Sequence, residues 1–300
     1  MPFKNAFAYT VIGFMALLSL LPLRLIQTMG ALLGFITYLS NAGPVKAARI
    51  NITRCLPELN TQQQKTMLRN NMINLGVSSA ELATVWFWSS KRLQNLITEI
   101  DGVQHLQNAL DNQQGLILIS PHLGNWEILT HGFRPYLTMT AMYKPAKISA
   151  LDGFIKRARI KAGVKLAPAN AAGVKQVLKA LIKKEVIGVL PDQEPNEHGG
   201  VFSTFFEHPA LTMKLVGDLA HRTRAATLFC YAIRLNNGRF KMVVEPADAD
   251  VYDADPQIAA DALNRSIEAC VRRHPEQYLW SYKRFRKQPN GQPSPYRKAA

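Results

Sequence analysis

The sequence predicts an α/β protein whose mixed, mostly parallel central sheet is flanked by helices and preceded by an apolar, membrane-anchoring helical segment. Two observations support this fold class. Between residues 97 and 274, short apolar runs alternate with longer stretches of helical periodicity, which is typical of a sheet covered on both faces. Before them, residues 5–23 contain no charged side chain, and this run is about long enough to span a bilayer.

The composition limits the kind of protein. Of its 300 residues, 47% are hydrophobic and 19% are charged, which allows one or two domains with a large core and excludes global disorder. The formal net charge of +15 indicates an anionic partner: nucleic acid, an anionic membrane surface or an acidic protein. The three cysteines lack metal-ligand spacing and no glycine-rich nucleotide motif occurs, so neither a metal nor another cofactor is expected.

The N-terminal apolar run allows three interpretations. A signal peptide is the least favoured, because no small-x-small cleavage site is evident. A transmembrane helix, or a re-entrant or interfacial hairpin broken near Pro22, is favoured over a buried core helix. After Arg24 no charge occurs until Lys46, and the basic residues beyond the run favour a cytoplasmic position for the bulk of the chain.

The other elements follow in order. Helices are predicted over residues 46–88, with a cap at Asn60. The predicted strands cover residues 97–101, 115–120, 137–143, 164–169, 186–190, 225–235 and 239–246. The predicted helices between and after them cover residues 103–110, 149–163, 174–184, 212–223 and 256–274. The Asn-Asn-Gly turn at residues 236–238 predicts a hairpin, and hence an antiparallel part of the sheet.

These elements divide the chain into three parts. Residues 1–45 form the apolar anchoring segment, and residues 46–287 form one globular domain. Residues 288–300 are rich in Pro, Asn, Gly and Lys, so we expect them to form a loose basic tail.

The strongest chemical signal lies where the strand 115–120 ends. His122 follows this strand at once, at the kind of position where open α/β sheets carry their chemistry. Gly124 and Asn125 tolerate a sharp turn into a helix, and Glu127 in the first helical turn can then reach the imidazole. A carboxylate there would fix the tautomer of the imidazole and stabilise its protonated form. The spacing alone also occurs by chance.

Two further polar segments follow strand ends. Lys144 comes directly after the strand 137–143, and Asp192 with Gln193 comes after the strand 186–190. Asp-Gln after proline is also ordinary turn chemistry.

One predicted helix, residues 149–163, is rich in cations: Lys156, Arg157, Arg159 and Lys161. The four cannot share one helical face, so one cation can point into a cleft while the others face water. A fully solvated basic face is the alternative. Near the C-terminus, aromatic and basic residues alternate over residues 278–287, which suits an anionic membrane surface or glycolipid and equally a single-stranded nucleic acid.

Three segments carry a resemblance to a known family. HLGNWE at residues 122–127 resembles the His-x4-Asp/Glu motif of the lysophospholipid acyltransferase superfamily. LPDQ at residues 190–193 and PEQYLW at residues 275–280 resemble its lipid A late (secondary) acyltransferase branch, the lauroyl and myristoyl transferases of Gram-negative bacteria. The first motif alone is weakly specific, whereas the three in this order are strongly specific. The resemblance runs from the N-terminal apolar segment to Arg286.

The resemblance implies a membrane-bound acyltransferase at the bacterial inner membrane, with its catalytic domain on the cytoplasmic face. It would move a fatty acyl chain from acyl carrier protein to a hydroxyl of a 3-hydroxyacyl chain on a lipid A precursor, in lipopolysaccharide biosynthesis. His122 would be the general base and Glu127 would orient it. Arg159 matches an arginine of the family and would bind a phosphate or stabilise the oxyanion.

Four further residues are expected to bind substrate: Asn125, Lys144, Asp192 and Gln193. Lys144 departs from the family, which commonly has arginine there, and an ammonium lacks the arginine fork. The expected partners are acyl carrier protein, the lipid A precursor and anionic inner-membrane lipids, and no nucleic acid. Two alternatives stay open: an acyltransferase that acts on another lysolipid, and a non-catalytic membrane protein that binds anionic lipid or nucleic acid.

Overall fold

The computed structural model describes residues 2–297, which form helices around a central sheet. The helices are α1 Pro2–Leu18, α2 Leu23–Ser40, α3 Gly43–Cys55, α4 Thr61–Phe87, α5 Ser90–Gln94, α6 Val103–Asp111, α7 Leu129–Phe133, α8 Ser149–Lys161, α9 Ala171–Ile182, α10 Leu215–Thr223 and α11 Pro256–Arg273. The strands are β1 Ile97–Asp101, β2 Leu116–Ile119, β3 Met139–Tyr143, β4 Lys165–Pro168, β5 Val186–Val189, β6 Gly200–Phe205, β7 His208–Met213, β8 Ala226–Arg234 and β9 Phe240–Pro246.

The main sheet has seven strands in the order β1-β9-β8-β2-β5-β3-β4, and its neighbours are parallel except for β8 with β9. The predicted α/β class and the mixed, mostly parallel sheet are confirmed. All four residues of β2 are buried, since this apolar strand lies between β5 and β8 with helices on both faces. Its carboxyl end therefore lies beside that of β5.

The N-terminal apolar region forms two helices, α1 and α2, with a break just before Leu23, close to the break that was predicted near Pro22. Glycines let α2 and α4 cross backbone to backbone. A Cβ on Gly76 would lie 2.2 Å from the carbonyl oxygen of Gly30, and one on Gly34 would lie 2.3 Å from that of Met72. Larger residues would push these helices apart, so α2 is packed as an integral part of the fold.

The outer surface of α1, α2 and their connection is apolar. It exposes the large side chains of Phe7, Tyr9, Phe14, Leu17, Leu20, Leu25, Met29, Leu32, Leu33, Phe35, Ile36 and Leu39. Among the described helices, only Leu23–Ser40 is long and apolar enough to cross a membrane, and 22% of it is buried. A contiguous exposed apolar surface of this kind marks a site that contacts a membrane or a partner.

A buried polar network fixes α2 to the rest of the domain. Gln27 in α2 donates to Glu81 of α4 at 2.8 Å and to the carbonyl oxygen of Gly238, in the hairpin between β8 and β9, at 2.8 Å. Glu81 is fully buried and accepts two hydrogen bonds of 2.6 Å from Arg234. Because this charge pair is buried, the loss of any one of its hydrogen-bond partners is expected to destabilise the fold.

One hairpin was not predicted. Strands β6 and β7 pair antiparallel as a separate two-stranded sheet, and α10 begins only at Leu215 although a helix was predicted from residue 212. The two residues of the hairpin turn, Phe206 and Glu207, have φ values of 46° and 62°. Such a turn normally carries glycine or asparagine, so its sequence gives no hairpin signal.

The C-terminal segment is part of the core. Trp280 and Phe285 are almost fully buried, as is Tyr278, whereas Tyr282 is half-buried. The predicted loose tail is also held in place, because the hydroxyl of Tyr296 accepts from the amide of Phe285 at 3.1 Å and donates to Asn51. Residues 298–300 of the predicted tail lie outside the described residues.

Candidate active site

The turn that follows β2 is built around Gly124. This residue has φ +61° and forms a bridge to Ala232 of β8, and a Cβ at this position would lie 2.0 Å from the carbonyl oxygen of Ala232. Only glycine fits both the left-handed conformation and this close approach. The turn carries His122 at its start and Glu127 near its end.

The C-terminal PEQYLW segment holds this turn from the other side. The amide of Leu279 donates to the carbonyl oxygen of His122 at 3.0 Å, and the amide of Gly124 donates to that of Gln277 at 3.0 Å. Asn71 of α4 in turn donates to two carbonyl oxygens of the segment, those of Glu276 at 3.1 Å and Tyr278 at 2.7 Å. The C-terminal segment therefore fixes the backbone that carries His122.

His122 is paired with Asp192. Imidazole Nδ1 lies 2.6 Å from carboxylate Oδ1, and the backbone amide of His122 donates to Oδ2 at 2.8 Å. The two residues meet because β2 and β5 are adjacent and parallel, and each residue follows the end of its strand. Burial by itself would raise the pKa of Asp192, but the attraction and hydrogen bonds of His122 outweigh it and hold the pKa below the ordinary carboxyl value.

The contacts of His122 define its tautomer. An ionised carboxylate only accepts hydrogen bonds, so Nδ1 carries the proton that it donates to Asp192. The amide nitrogen of Gln193 lies 3.1 Å from imidazole Nε2, which therefore accepts a hydrogen bond through its lone pair. Nε2 of His122 thus faces away from Asp192 and towards Gln193, and 14% of the side chain is exposed.

Glu127 was predicted to contact His122, but its carboxylate has other partners. Its carboxylate accepts from Arg159 of α8 through both oxygens and from the indole nitrogen of Trp86 at 3.4 Å. The physical reason lies in the turn, which presents the ring of Trp126 to the imidazole, edge to face at 4.9 Å between centroids. The next side chain, Glu127, consequently points towards α4 and α8. The carboxylate that contacts the imidazole is that of Asp192.

Arg159 is the cation of α8 that reaches the interior. Burial would lower the pKa of its guanidinium, but the attraction and hydrogen bonds of Glu127 raise it above the ordinary value. The neighbouring Lys156 instead pairs with Asp152 at 2.7 Å, one turn earlier on the same helix. Arg159 therefore differs in position from its basic neighbour Lys156, and its guanidinium is engaged with Glu127.

The four residues that were expected to bind substrate do not lie together. Asp192 and Gln193 contact His122, as described above. Asn125 is buried, and its amide donates to Glu81 at 3.0 Å and accepts from the backbone of Ile128 at 3.2 Å, so it supports the turn. Lys144 is exposed after β3 and makes no hydrogen bond or ion pair with the residues that the structure describes.

Two backbone amides of the turn are available for a ligand. The amides of Trp126 and Glu127 donate to no acceptor within residues 2–297, whereas the amides on either side of them are engaged. Those of Asn125 and Ile128, for example, donate to the carbonyl oxygens of Ala232 at 2.8 Å and Asn125 at 3.3 Å. Two free backbone amides in the turn that carries His122 could donate to a negatively charged oxygen.

No side chain beside His122 offers a covalent nucleophile. The hydroxyl of Ser120 is buried and donates to the carbonyl oxygen of Pro121 at 3.2 Å. Burial raises the pKa values of the thiols of Cys55, Cys230 and Cys270. Within residues 2–297 no group of three or more His, Cys, Asp or Glu side chains is arranged to hold a metal ion.

Comparisons with known proteins identify the family of the chain. Residues 3–287 match the family described as bacterial lipid A biosynthesis acyltransferase. The chain is 25% identical to the lipid A biosynthesis lauroyltransferase of Escherichia coli K12, over 95% of this chain and 93% of the relative. It is 27% identical to the palmitoleoyltransferase of the same organism, over 83% and 81% of the two chains, and 22% identical to the myristoyltransferase, over 84% and 78%.

Proposed function

The chain belongs to the bacterial lipid A biosynthesis acyltransferase family, and from this premise we propose which reaction its site carries out. It is an acyltransferase of lipid A biosynthesis. We propose that it moves a fatty acyl chain from acyl carrier protein to the hydroxyl of a 3-hydroxyacyl chain on a lipid A precursor. The observation that carries the proposal is the pairing of His122 Nδ1 with the buried Asp192, which leaves Nε2 facing Gln193 on the other side of the ring.

The proposed step is direct transfer between the two substrates. The acceptor hydroxyl replaces Gln193 at Nε2, and His122 takes its proton as the oxygen attacks the thioester carbonyl. A carbon–oxygen bond forms, the carbon–sulfur bond breaks, and His122 returns the proton to the leaving thiolate. Asp192 holds the tautomer before the step and stabilises the imidazolium during it.

The tetrahedral intermediate carries a negative oxygen that must be stabilised. The free amides of Trp126 and Glu127 are the groups we assign to it, since they lie in the turn that carries His122. The bidentate pair of Glu127 and Arg159 holds the end of this turn against α8. We therefore give Glu127 and Arg159 a positioning role.

The absence of a side-chain nucleophile beside His122 in the described part of the chain favours this direct route over an acyl-enzyme. Ser120 faces its own backbone, and the three thiols are buried and protonated at neutral pH. The hydroxyl of the acceptor then takes the place that serine holds in a hydrolase triad.

The experiment that tests this function is transfer by the purified protein. Lipid A precursor is supplied with an acyl thioester of acyl carrier protein or of coenzyme A, and the product is weighed by mass spectrometry. We expect one added acyl chain, formed faster from the acidic carrier protein, because the net charge of +15 favours its approach. No added chain with either donor would reject the function, and faster transfer from coenzyme A would reject the carrier protein as donor.

We further propose that α1 and α2 lie in the cytoplasmic interface of the inner membrane. Gln27, Gly30 and Gly34 tie one face of α2 to the domain, so the helix cannot leave it to cross the bilayer without breaking these contacts. The opposite face carries the exposed apolar side chains. An amphipathic arrangement of this kind binds in the plane of the membrane surface.

Charged substitutions on that surface should release the protein from membranes. Replacing the exposed residues Leu20, Leu33 and Leu39 with glutamate adds negative charge and removes apolar area without touching the contacts of Gln27. We expect the triple variant in the soluble fraction and the unaltered protein in the membrane fraction. Ile182→Glu, at an exposed position in α9, is the control. Recovery of the unaltered protein in the soluble fraction without detergent would reject the anchor.

Loss of Arg159 should weaken both the fold and the reaction. Arg159→Ala leaves Glu127 buried without its cation, so we expect the free energy of unfolding to fall by about 3 kcal/mol and the transfer rate to fall with it. Arg157→Ala, at an exposed position of α8, is the control. Thermal melting and initial rates measure the two effects. The double variant Glu127→Ala with Arg159→Ala should melt higher than Arg159→Ala alone, and an unchanged melting temperature for Arg159→Ala would contradict the positioning role.

A further inference from the structure

A cavity lies next to the ion pair of Glu127 and Arg159. Its volume is about 260 Å³, and it opens between the end of α4, the start of α5, α7 and α8. Trp86, whose indole donates to Glu127, and Ala158, which precedes Arg159, form its inner wall. His122 does not line this cavity, which therefore adjoins the reacting centre without including it.

A chain of hydrogen bonds organises the polar wall of the cavity. The hydroxyl of Ser90 lies 3.0 Å from Nδ1 of the buried His131 and accepts from the guanidinium of Arg134 at 2.7 Å. Burial lowers the pKa of His131 to about 4, so its ring is neutral at physiological pH. Arg134 also donates to the carbonyl oxygen of Lys161 at 3.3 Å. These contacts hold an exposed guanidinium at the mouth of the cavity.

The cavity carries an excess of positive charge. Arg134 and Lys161 line it, and neither forms an ion pair with a carboxylate among residues 2–297. The carboxylate behind its inner wall, Glu127, is already neutralised by Arg159. Two cations and a serine hydroxyl around a space of this size suit a phosphate group, which arginine recognises through its planar fork.

An apolar groove adjoins the cavity. The groove is about 650 Å³ in volume and shares Trp88 and Ser89 with the cavity. Its other walls include Leu17 and Leu20, which belong to the exposed apolar surface of the N-terminal helices. A ligand that occupies both spaces has an anionic group and a hydrocarbon chain, so it is an amphipathic lipid and not free phosphate.

We propose that the cavity binds a phosphate group of the acceptor glycolipid and that the groove takes one of its acyl chains. The inference rests on the proposed function and adds to it the residues that recognise the acceptor. Arg134 is a binding residue that acts on the affinity for the acceptor and not on the chemical step, because His122, Trp126 and Glu127 do not line the cavity.

The test compares two forms of the acceptor, the phosphorylated glycolipid and the same lipid after phosphatase treatment. Removing the guanidinium fork costs a charge-assisted hydrogen bond, so Arg134→Ala should raise KM for the phosphorylated form about tenfold and leave kcat within about twofold. The unaltered protein should show the raised KM on the phosphatase-treated form, and Arg134→Ala should add nothing there. Ser90→Ala should shift KM in the same direction by less. Arg222→Ala, an exposed arginine of α10, is the matched control.

Three results would overturn the proposal. The first is an unchanged KM for Arg134→Ala, and the second is an equal rise on both acceptors, which would show that Arg134 supports the fold and not the phosphate. The third concerns phosphatidylglycerol micelles. If they compete with the acceptor, and Arg134→Ala abolishes this competition but leaves KM for the acceptor unchanged, the cavity binds a membrane phospholipid instead.

A binding measurement separates this inference from the proposed function. Acceptor binding is followed by quenching of the fluorescence of Trp86 and Trp88, and it requires no turnover. Absence of transfer by the unaltered protein on both acceptors would reject the function alone. Quenching that is about tenfold weaker in Arg134→Ala, and only for the phosphorylated lipid, would still support the phosphate site. Equal quenching in both proteins would reject it.

Discussion

Replacing His122 with alanine is expected to lower kcat by about 10²–10⁴-fold, because the proposed step loses its general base. His122→Ala also leaves the buried Asp192 without its imidazole partner, so the melting temperature should fall as well, although backbone hydrogen bonds still hold the turn. Initial rates of acyl transfer at saturating acceptor measure the effect. His198→Ala, an exposed loop histidine, is the control. A His122→Ala protein with a rate within about tenfold of the unaltered one would contradict the assignment.

Replacing Asp192 with asparagine is expected to lower kcat by a similar factor, about 10²–10⁴-fold, although the shape of the side chain is kept. An asparagine amide that donates to Nδ1 would move the imidazole proton to Nε2, the nitrogen that must accept the proton of the substrate. The low pKa of Asp192 also means that the unaltered carboxylate is ionised at neutral pH, as the pairing requires.

Glu127→Gln is the informative comparison for Asp192→Asn. Glu127 contacts Arg159 and Trp86, so its loss should lower the melting temperature as well as the rate. Asp192→Asn keeps an acceptor oxygen for the backbone amide of His122, and we expect its rate to fall further than its stability. A rate for Asp192→Asn close to that of the unaltered protein would reject Asp192 as the orienting group.

The sequence predicted the frame of the sheet because its strands are short apolar runs with ordinary turn residues around them. Leu116–Ile119 is buried on both faces, and the Asn-Asn-Gly turn at residues 236–238 makes the predicted hairpin between β8 and β9. The hairpin of β6 and β7 was missed because Phe206 and Glu207 occupy its left-handed positions. Neither residue is typical of such a turn, so the local sequence does not indicate one.

The sequence predicted which residues lie in the candidate site more readily than which of them contact one another. His122, Glu127, Arg159, Asp192 and Gln193 were all identified from motifs at strand ends and on a basic helix. Which carboxylate meets the imidazole depends on the adjacency of β2 and β5, which are 70 residues apart in sequence and whose pairing no local pattern shows.

The phosphate-binding candidates, by contrast, carry no motif that distinguishes them. Arg134, Ser90 and Lys161 come from three separate helical regions and meet only in the folded chain. Their sequence neighbours resemble those of any exposed helix end, so an isolated sequence cannot identify them.

The most direct measurement is a double-mutant cycle on kcat with His122→Ala, Asp192→Ala and the protein that carries both. If the two residues act as one unit, the double variant should lose no more than about threefold beyond the more severe single variant. Glu127→Ala combined with His122→Ala should instead lose more than either single variant, since Glu127 acts through the turn. Multiplicative losses for His122 with Asp192, together with complete overlap for His122 with Glu127, would contradict the account and return the orienting role to Glu127.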